Sequence, residues 1–389
     1  MSKYDFELTE FQQRQAKVRK AMEQQGIELL LVIHPVNLNY LIGWRGKAYQ
    51  EFQVLFFPIE PGPLAFLTRI SEVPEAQDLT LADEVYGWAS WGYGSRKPEE
   101  PVDAFKRIMS EKKYLGRRIG LEVPDYYLAP HQYIKIKEIL GESLVTEATH
   151  LIEDVKMVKS PAELAYIRKA AYIADKAMET CVEAIVEGKT ELEVVGEMHR
   201  TLMALGSDTP ASPMNFVSGE RTAYPHGMPT ERKLRKGDFI HNEYGAAYRR
   251  YTTTIGRVMC LGQPTRRMKE IYQAVRDACD SAIGEIKHGV PAPLPHQAAK
   301  KLIEKAGLGQ YRLHLTGYGL APGFPPMWLE AMEMEDGNPY TLEAGMVVSI
   351  EPPVHIHEEK LGARIIDNVL VKESGAEILS KFSRDLIVL

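Results

Sequence analysis

The sequence has little cysteine and no long hydrophobic run. Its three cysteines, Cys181, Cys260 and Cys279, lie far apart and form no CxxC or metal-type spacing. An odd and sparse set of this kind is typical of a reduced, cytoplasmic protein with buried or inert thiols. No apolar stretch reaches the roughly 18 residues that a membrane span needs. The N-terminus, MSKYDFELTEFQQRQAKVRK, indicates a charged helix rather than a secretory signal.

Positive charge is not in excess either. The formal net charge of −6 argues against a nucleic-acid-binding face and against attraction to anionic membranes. The 389 residues, 44% hydrophobic and 26% charged, are ordinary for a globular protein and long enough for two domains.

The order of predicted elements indicates a domain boundary near residue 153. Up to that point, helices alternate with apolar strands, starting with a helix over 11–25 and a buried strand over 27–33. This half reads as an α/β domain. We therefore predict an N-terminal domain over 1–153 and a C-terminal domain over 154–389.

The C-terminal half begins with clear helix starts. Ser160, Pro161 and Glu163 have the pattern of an N-cap, a first helical residue and the acid of a capping box. Thr190 with Glu193 repeats the capping box, and Thr265 begins a third helix after the central hairpin. A fourth helix and a β-rich segment follow. The order resembles an internal duplication of two helices and two strands.

A predicted hairpin over 234–261, LRKGDFIHNEYGAAYRRYTTTIGRVMCL, carries the first candidate acid. Its first strand is apolar and is expected to turn at Gly245. Glu243 lies just before that turn. Eleven residues later, where a second acid could stand alongside it, the chain has Thr254.

A second candidate acid, Glu351, follows the apolar run 346–350 and precedes two prolines. A carboxylate at the mouth of a buried strand is costly unless it is paired, hydrogen-bonded or bound to a metal. The alternative is a charge that reaches solvent where the strand ends.

Three histidines stand in polar segments. His226, in FVSGERTAYPHGMPT, is a candidate catalytic group, although loop histidines are more often exposed or structural. His355 and His357, in VHIHEE, could be metal ligands on one strand face. A polar hairpin tip explains these two better, because the segment is charged.

Three aromatic residues stand in the Gly/Pro-rich stretch TGYGLAPGFPPMW, namely Tyr318, Phe324 and Trp328. Aromatic side chains in such a stretch form either a local core or the wall of a small-molecule pocket.

These motifs, in this order, resemble the pita-bread family, which includes methionine aminopeptidase, aminopeptidase P, prolidase, creatinase and ectoine hydrolase. The resemblance covers about 155–389, and the first half is similar, more loosely, to the creatinase-type N-terminal domain. It implies a two-domain creatinase-like α+β protein with a C-terminal pita-bread domain, and a homodimer.

The resemblance also implies five metal-ligand positions, because the family's peptidases bind two divalent metals through Asp, Asp, His, Glu and Glu. In this sequence these positions hold Glu243, Thr254, Tyr318, Glu351 and Ile366. Thr, Tyr and Ile are poor substitutes for a carboxylate or imidazole on a dication. A dinuclear site is therefore not expected, and neither a metal nor another cofactor is predicted.

Two buried carboxylates without metals repel one another and demand a proton or a cation. A small cationic or zwitterionic substrate would supply that charge. Metal-free members of the family act on such groups, and the stretch GYGLAPGFPPMW is similar to that of ectoine hydrolase. The resemblance thus implies metal-independent hydrolysis of a C–N bond in a small amidine, guanidine or cyclic amide.

In this hypothesis Glu243 and Glu351 hold the cationic group and polarise its central carbon. One of the two, with Glu243 favoured, is the nucleophile or orients the water, and His226 is general base and then acid. The expected substrate-binding residues are Tyr318, Phe324, Trp328, Thr254, Arg257, Trp44 and Tyr49. Arg257 is either a carboxylate anchor or a structural arginine, and the loop from Trp44 to Tyr49 is expected to reach the partner subunit's site.

Two alternatives remain. One is an Xaa-Pro dipeptidase or aminopeptidase P-like metallopeptidase, which needs metals. The other is a non-catalytic, small-molecule-binding member of the family.

Overall fold

The computed structural model describes residues 4–92 and 97–389. It divides into two compact units, Met1–Lys156 and Met157–Leu389. The division falls three residues after the expected boundary.

The first unit is an α/β domain around one six-stranded sheet. Its strands are β1 (Leu29–Val32), β2 (Val54–Pro58), β3 (Ala65–Arg69), β4 (Glu84–Trp88), β5 (Ile119–Leu121) and β6 (Leu144–Glu147). Its helices are α1 (Leu8–Gln24), α2 (Pro35–Ile42), α3 (Val73–Leu79), α4 (Pro101–Glu111), α5 (Pro130–Leu140) and α6 (Thr149–Lys156).

The sheet of the first unit is mixed, in the order β4-β3-β2-β1-β5-β6. Strand β1 is central and every one of its residues is buried, which is the reason for its unbroken apolar sequence. It pairs antiparallel with β2 and parallel with β5.

One buried carboxylate caps a helix in this unit. Glu122, just after β5, accepts hydrogen bonds from the backbone N–H groups of Ile33 and His34 at the start of α2, and from the side chain of Asn37. Burial nevertheless raises the pKa of Glu122 to about 8, with these hydrogen bonds opposing the rise. Glu122 thus joins β5 to the N-terminus of α2.

The second unit contains four long helices, α7 (Pro161–Ala184), α8 (Glu191–Ala204), α9 (Arg266–Glu285) and α10 (Pro293–Lys305). The predicted capping residues Ser160 and Thr190 each accept from the backbone of the glutamate three residues on, and Thr265 accepts from Met268. The three predicted helix starts are confirmed.

Most strands of the second unit form one ten-stranded sheet. The strands are β7 (Asn215–Ser218), β8 (Phe239–Tyr248), β9 (Tyr251–Ile255), β10 (Val258–Cys260), β11 (Gly317–Phe324), β12 (Met327–Glu333), β13 (Val347–Ile350), β14 (Val354–Ile356), β15 (Leu361–Ala363), β16 (Asp367–Val371), β17 (Ala376–Ile378) and β18 (Ile387–Val388). Strands β14 and β15 form a separate hairpin.

Each helix pair packs on its own half of this sheet. One core joins α7 and α8 to β7, β8 and β9, and another joins α9 and α10 to β10, β13 and β16. The predicted duplication of two helices and two strands is therefore present, and the α+β pita-bread expectation is confirmed.

The hairpin of β8 and β9 turns later than expected. Strand β8 continues through Gly245 to Tyr248, and the turn is at Arg249 and Arg250, whose φ angles are 51° and 69°. Two residues with positive φ match the twist of a hairpin. Gly245 is required for another reason, since a Cβ there would lie 2.9 Å from the ring of Trp328.

In the described residues, no helix has both the length and the apolar character needed to cross a membrane.

Candidate functional site

The two predicted acids of the second unit meet at one arginine. Glu243 lies in the middle of β8, Glu351 directly follows β13, and Arg364 lies between β15 and β16. Arg364 donates from Nη1 to Oε2 of Glu243 across 2.6 Å and from Nη2 to Oε1 of Glu351 across 2.9 Å. All three side chains are buried.

This arrangement corrects one sequence-based expectation. The cation that the carboxylates of Glu243 and Glu351 require is part of the chain, so a cationic substrate is not needed to balance them. Arg364 is not among the residues predicted for the site, although a lone arginine in the apolar run GARIID is a usable signal.

Other polar side chains complete the contacts of the two carboxylates. Asn215 donates to Oε2 of Glu243 across 2.8 Å. The hydroxyls of Tyr318 and Ser349 each donate to Oε2 of Glu351 across 3.2 Å. Glu351 is therefore held by three side chains, and its orientation is fixed.

The ionisation of this centre follows from its burial. Burial raises the pKa of Glu351 to about 7, while Arg364 and the Tyr318 hydroxyl oppose the rise. Burial alone would lower the pKa of Arg364, but Glu243 and Glu351 raise it above its ordinary value. Arg364 therefore stays protonated, and Glu351 changes charge near neutral pH.

Two histidines lie on the more exposed side of the centre. The ring centroids of His226 and His314 are 5.5 Å apart, and Nδ1 of His314 is 3.5 Å from Oε1 of Glu351. Burial and the charge of Arg364 lower the pKa of both imidazoles. His314 was missed in the sequence, although it stands only four residues before Tyr318.

Two predicted aromatic residues reach the centre and one does not contact it. Trp328 donates from Nε1 to the Tyr318 hydroxyl across 3.2 Å, which links it to Glu351 through Tyr318. Phe324 lies at the other end of β11, where the guanidinium of Arg250 is 4.4 Å from its ring centroid.

Thr254 lies on the same sheet face as Glu243. It pairs with Gly245 across the hairpin, two residues along the strand from Glu243, so it is a diagonal neighbour. Its hydroxyl accepts from the side chain of Asn368 across 2.8 Å and contacts the hydroxyl of Ser349. Thr254 thus supports Ser349, which in turn donates to Glu351.

Arg257 fits the structural alternative. It is fully buried and donates to Asp367 across 3.0 Å. Its other hydrogen bonds go to the hydroxyl of Ser380 and to four backbone carbonyls, two of which lie in the C-terminal segment 382–383. Because every N–H group is used inside the protein, Arg257 has no donor left to anchor a substrate carboxylate.

His355 is not at a polar hairpin tip. Its Nδ1 and the Nε2 of His241 both donate to the carbonyl oxygen of Thr222, at 3.1 and 3.0 Å, and both rings are buried. Of the two histidines in this hairpin, His357 is the exposed one. The prediction that His355 lies at a polar hairpin tip was wrong, because the carbonyl of Thr222, which is distant in sequence, accepts a hydrogen bond from its buried ring.

Trp44 is also a core residue rather than an exposed loop residue. It packs among apolar side chains of the first unit and donates from Nε1 to Gln53 across 2.8 Å. Tyr49 is half-buried and contacts the ring of Tyr127. A role for Tyr49 in a partner's site stays a prediction.

A dinuclear metal centre does not fit these residues. Within residues 4–92 and 97–389, no three or more His, Cys, Asp or Glu side chains are grouped so that they could hold a metal ion. Thr254, Tyr318 and Ile366 fill three of the positions where the family's peptidases have ligands, and Ile366 is buried. The carboxylates that remain are already paired with Arg364.

The chain is similar to known peptidases along most of its length. The profile of metallopeptidase family M24 matches residues 165–373, and that of the creatinase/prolidase N-terminal domain matches 14–158. The chain is 35% identical over 381 residues to the Xaa-Pro dipeptidase of Pyrococcus furiosus, covering 96% of this chain and 99% of that protein.

Two solved structures have the same fold over nearly the whole chain. A prolidase from Thermococcus sibiricus has a TM-score of 0.86 and 28% identity, covering 97% of this chain and 99% of that one. The prolidase from Pyrococcus horikoshii has a TM-score of 0.83 and 26% identity, covering 96% and 100%.

These relatives correct the expected function. They contradict the assignment to a metal-independent amidine, guanidine or cyclic amide hydrolase of the ectoine hydrolase or creatinase branch, and they favour the Xaa-Pro peptidase alternative. The expectation of a hydrolase of the pita-bread type agrees with them. The chain belongs to metallopeptidase family M24 and carries the creatinase/prolidase N-terminal domain.

Proposed function

We propose that the chain hydrolyses dipeptides of the Xaa-Pro class at the C–N bond that precedes proline. The observation that carries this proposal is the similarity to an Xaa-Pro dipeptidase along nearly the full length of both chains. The buried centre of Glu243, Glu351 and Arg364, with His314 and Tyr318 beside it, is the place in the second unit where polar groups suited to proton transfer converge.

Two histidines and Glu351 form a series of decreasing exposure from solvent to this centre, which is the proposed route for a proton. His226 is exposed, His314 is half-buried, and Glu351 is fully buried. Burial and Arg364 lower the pKa of both imidazoles, which favours the neutral form that acts as a base. Glu351, with a pKa raised to about 7, passes between its acid and base forms near neutral pH.

Tyr318 and Trp328 form the wall beside Glu351. The Tyr318 hydroxyl bridges the two, since it donates to Glu351 and accepts from Trp328. In this role the two rings offer an apolar surface to the proline ring of a substrate while the hydroxyl orients Glu351.

A second candidate function is binding without turnover. It is favoured by the side chains at three ligand positions, Thr254, Tyr318 and Ile366, which do not suit the metals of the family's peptidases. In that case the same centre binds an Xaa-Pro dipeptide and leaves the bond intact.

Release of free proline from Xaa-Pro dipeptides tests the proposal. Wild-type protein is assayed with chelator, with no addition and with added Mn²⁺, and Xaa-Ala dipeptides with the same first residue serve as the substrate control. Proline release is expected, falling about a hundredfold or more in Glu351→Gln and His226→Ala. The matched control is His199→Ala, which changes an exposed histidine on α8.

Binding measured by calorimetry separates the two candidates. Binding of Xaa-Pro dipeptides without proline release under all three conditions would replace hydrolysis by the binding function. Neither binding nor release would refute both.

The proposal includes a homodimer, which agrees with the sequence-based expectation. Light scattering on the full chain tests it, and a mass of 43.9 kDa would contradict it because that is the mass of one chain.

A further inference from the structure

The charge of the centre differs from that of a dinuclear metal site. In the family's peptidases, four acidic ligands balance the four positive charges of two dications. Here the same positions hold only two acids, Glu243 and Glu351. With two acids and one buried guanidinium, the formal charge of the centre is −1 without any metal.

Arg364 bridges the two carboxylates of the centre. Each of its two Nη atoms donates to a different carboxylate. The exposed fraction of the side chain is 1% for Arg364, 7% for Glu243 and 0% for Glu351. A guanidinium held by two carboxylates keeps its proton at any pH that the protein tolerates. It is therefore a permanent positive charge at this point.

We propose that Arg364 is the resident cation of this centre and that the chain binds no stoichiometric dication between Glu243 and Glu351. Arg364 holds the two carboxylates together through one hydrogen bond to each. The arginine belongs to the family's motif at this position, but in this chain it is the only cation that contacts both glutamates among the described residues.

The neighbouring positions oppose metal entry for separate reasons. The hydroxyl of Thr254 is held by Asn368 and Ser349, and the hydroxyl of Tyr318 is held by Glu351 and Trp328. The side chain of Ile366 is a hydrocarbon and offers no atom that could ligate a metal. A dication at these carboxylates would be repelled by the guanidinium that already holds both of them, and only two acids would be present to offset that repulsion.

Metal titration of the full chain tests the proposal without measuring turnover. Wild-type protein is stripped with chelator, titrated with Mn²⁺ and with Zn²⁺ by calorimetry, desalted and assayed for bound metal. The comparison is the triple variant Thr254→Asp, Tyr318→His and Ile366→Glu, which restores the family's ligand types and keeps Arg364. Wild type is expected to retain no stoichiometric metal, and the triple variant to retain about one equivalent or more.

Two controls make the result decisive. Circular dichroism shows whether the triple variant is folded; if it is not, Glu351→Gln in the wild-type background decides. One equivalent of metal on wild type that is lost in Glu351→Gln would overturn the proposal. Metal that survives in Glu351→Gln is bound elsewhere, and the proposal stands. A folded triple variant without metal would also count against it, because the three positions would not then explain the difference.

The test of metal binding and the test of peptide hydrolysis can fail independently of each other. Absence of proline release refutes the proposed peptidase function and leaves Arg364 as the resident cation. Metal bound by Glu243 and Glu351 refutes the role of Arg364 and leaves the peptidase function in place.

Discussion

Nη2 of Arg364 donates to Oε1 of Glu351 across 2.9 Å inside the core of the second unit. The same guanidinium donates to Glu243, which is 121 residues away along the chain. Two acids that repel each other are therefore held together by one arginine, and the geometry of the candidate active site depends on that arginine.

Removal of this guanidinium should destabilise the protein strongly. Arg364→Met leaves Glu243 and Glu351 buried without a cationic partner, and we expect the free energy of unfolding to fall by about 3–5 kcal/mol. Urea denaturation followed by circular dichroism measures it. Adding Glu243→Gln to Arg364→Met should recover part of the loss, because one uncompensated charge is removed. A loss below about 1 kcal/mol in Arg364→Met would mean that solvent reaches the carboxylates.

The hydroxyl of Tyr318 should hold down the pKa of Glu351. It donates to the carboxylate across 3.2 Å, and a hydrogen bond to the charged form favours that form. Tyr318→Phe removes the donor, so the pKa of Glu351 should rise above about 7. The pH dependence of dipeptide binding or of kcat/KM measures the shift. An unchanged or lowered value would contradict the contact. Phe324→Leu is the matched control, since Phe324 lies at the other end of β11.

Loss of the Arg257 side chain should affect stability and leave substrate affinity unchanged. The side chain pairs with Asp367 and holds the carbonyls of Phe382 and Ser383 near the C-terminus. Arg257→Met should lower the free energy of unfolding by about 1–3 kcal/mol, because buried carbonyl groups lose their donor while Arg384 keeps Asp367 paired. KM for the folded fraction should equal that of wild type. A large rise in KM with little loss of stability would restore Arg257 as a substrate anchor.

Because of Glu122, the free energy of unfolding of the first unit should fall as pH rises. Burial raises its pKa in the folded protein to about 8 from 4.5, so the folded state binds the proton more tightly than the unfolded state. The free energy of unfolding should therefore decrease from about pH 4.5 to about pH 8 and then level off. Glu122→Gln cannot ionise and should lack this part of the dependence.

The comparison between wild type and Glu122→Gln is made by urea denaturation at several pH values. The Gln side chain can keep the backbone contacts of Ile33 and His34, and the Asn37 amide can turn to present its oxygen. The difference between the two proteins should favour Glu122→Gln more at pH 8 than at pH 5. The opposite sign would show that the hydrogen bonds outweigh burial and that Glu122 is charged throughout.

Local sequence rules predicted most of the elements that position the site. Capping residues fixed the starts of α7, α8 and α9, and alternating or continuous apolar runs indicated the strands that carry Glu243 and Glu351. These features depend on residues that are close in sequence, where side-chain type and spacing decide the structure. The hairpin turn was misplaced because Gly245 was read as a turn residue, whereas close packing of Trp328 explains it.

The substrate prediction failed at a step that sequence cannot resolve. Two buried acids require a cation, and this requirement was correct. The sequence does not say whether the cation comes from outside or from the chain, because that depends on how the segment between β15 and β16 folds back onto β8.

The sequence by itself determined the family, the two domains and the absence of three metal-ligand types at Thr254, Tyr318 and Ile366. Only the tertiary structure decided that Arg364 pairs with both Glu243 and Glu351, that His314 joins them, and that Arg257 and His355 are structural. The physical reason is that electrostatic partners inside a protein are chosen by strand register and burial across more than a hundred residues, and charge spacing along the chain does not encode that choice.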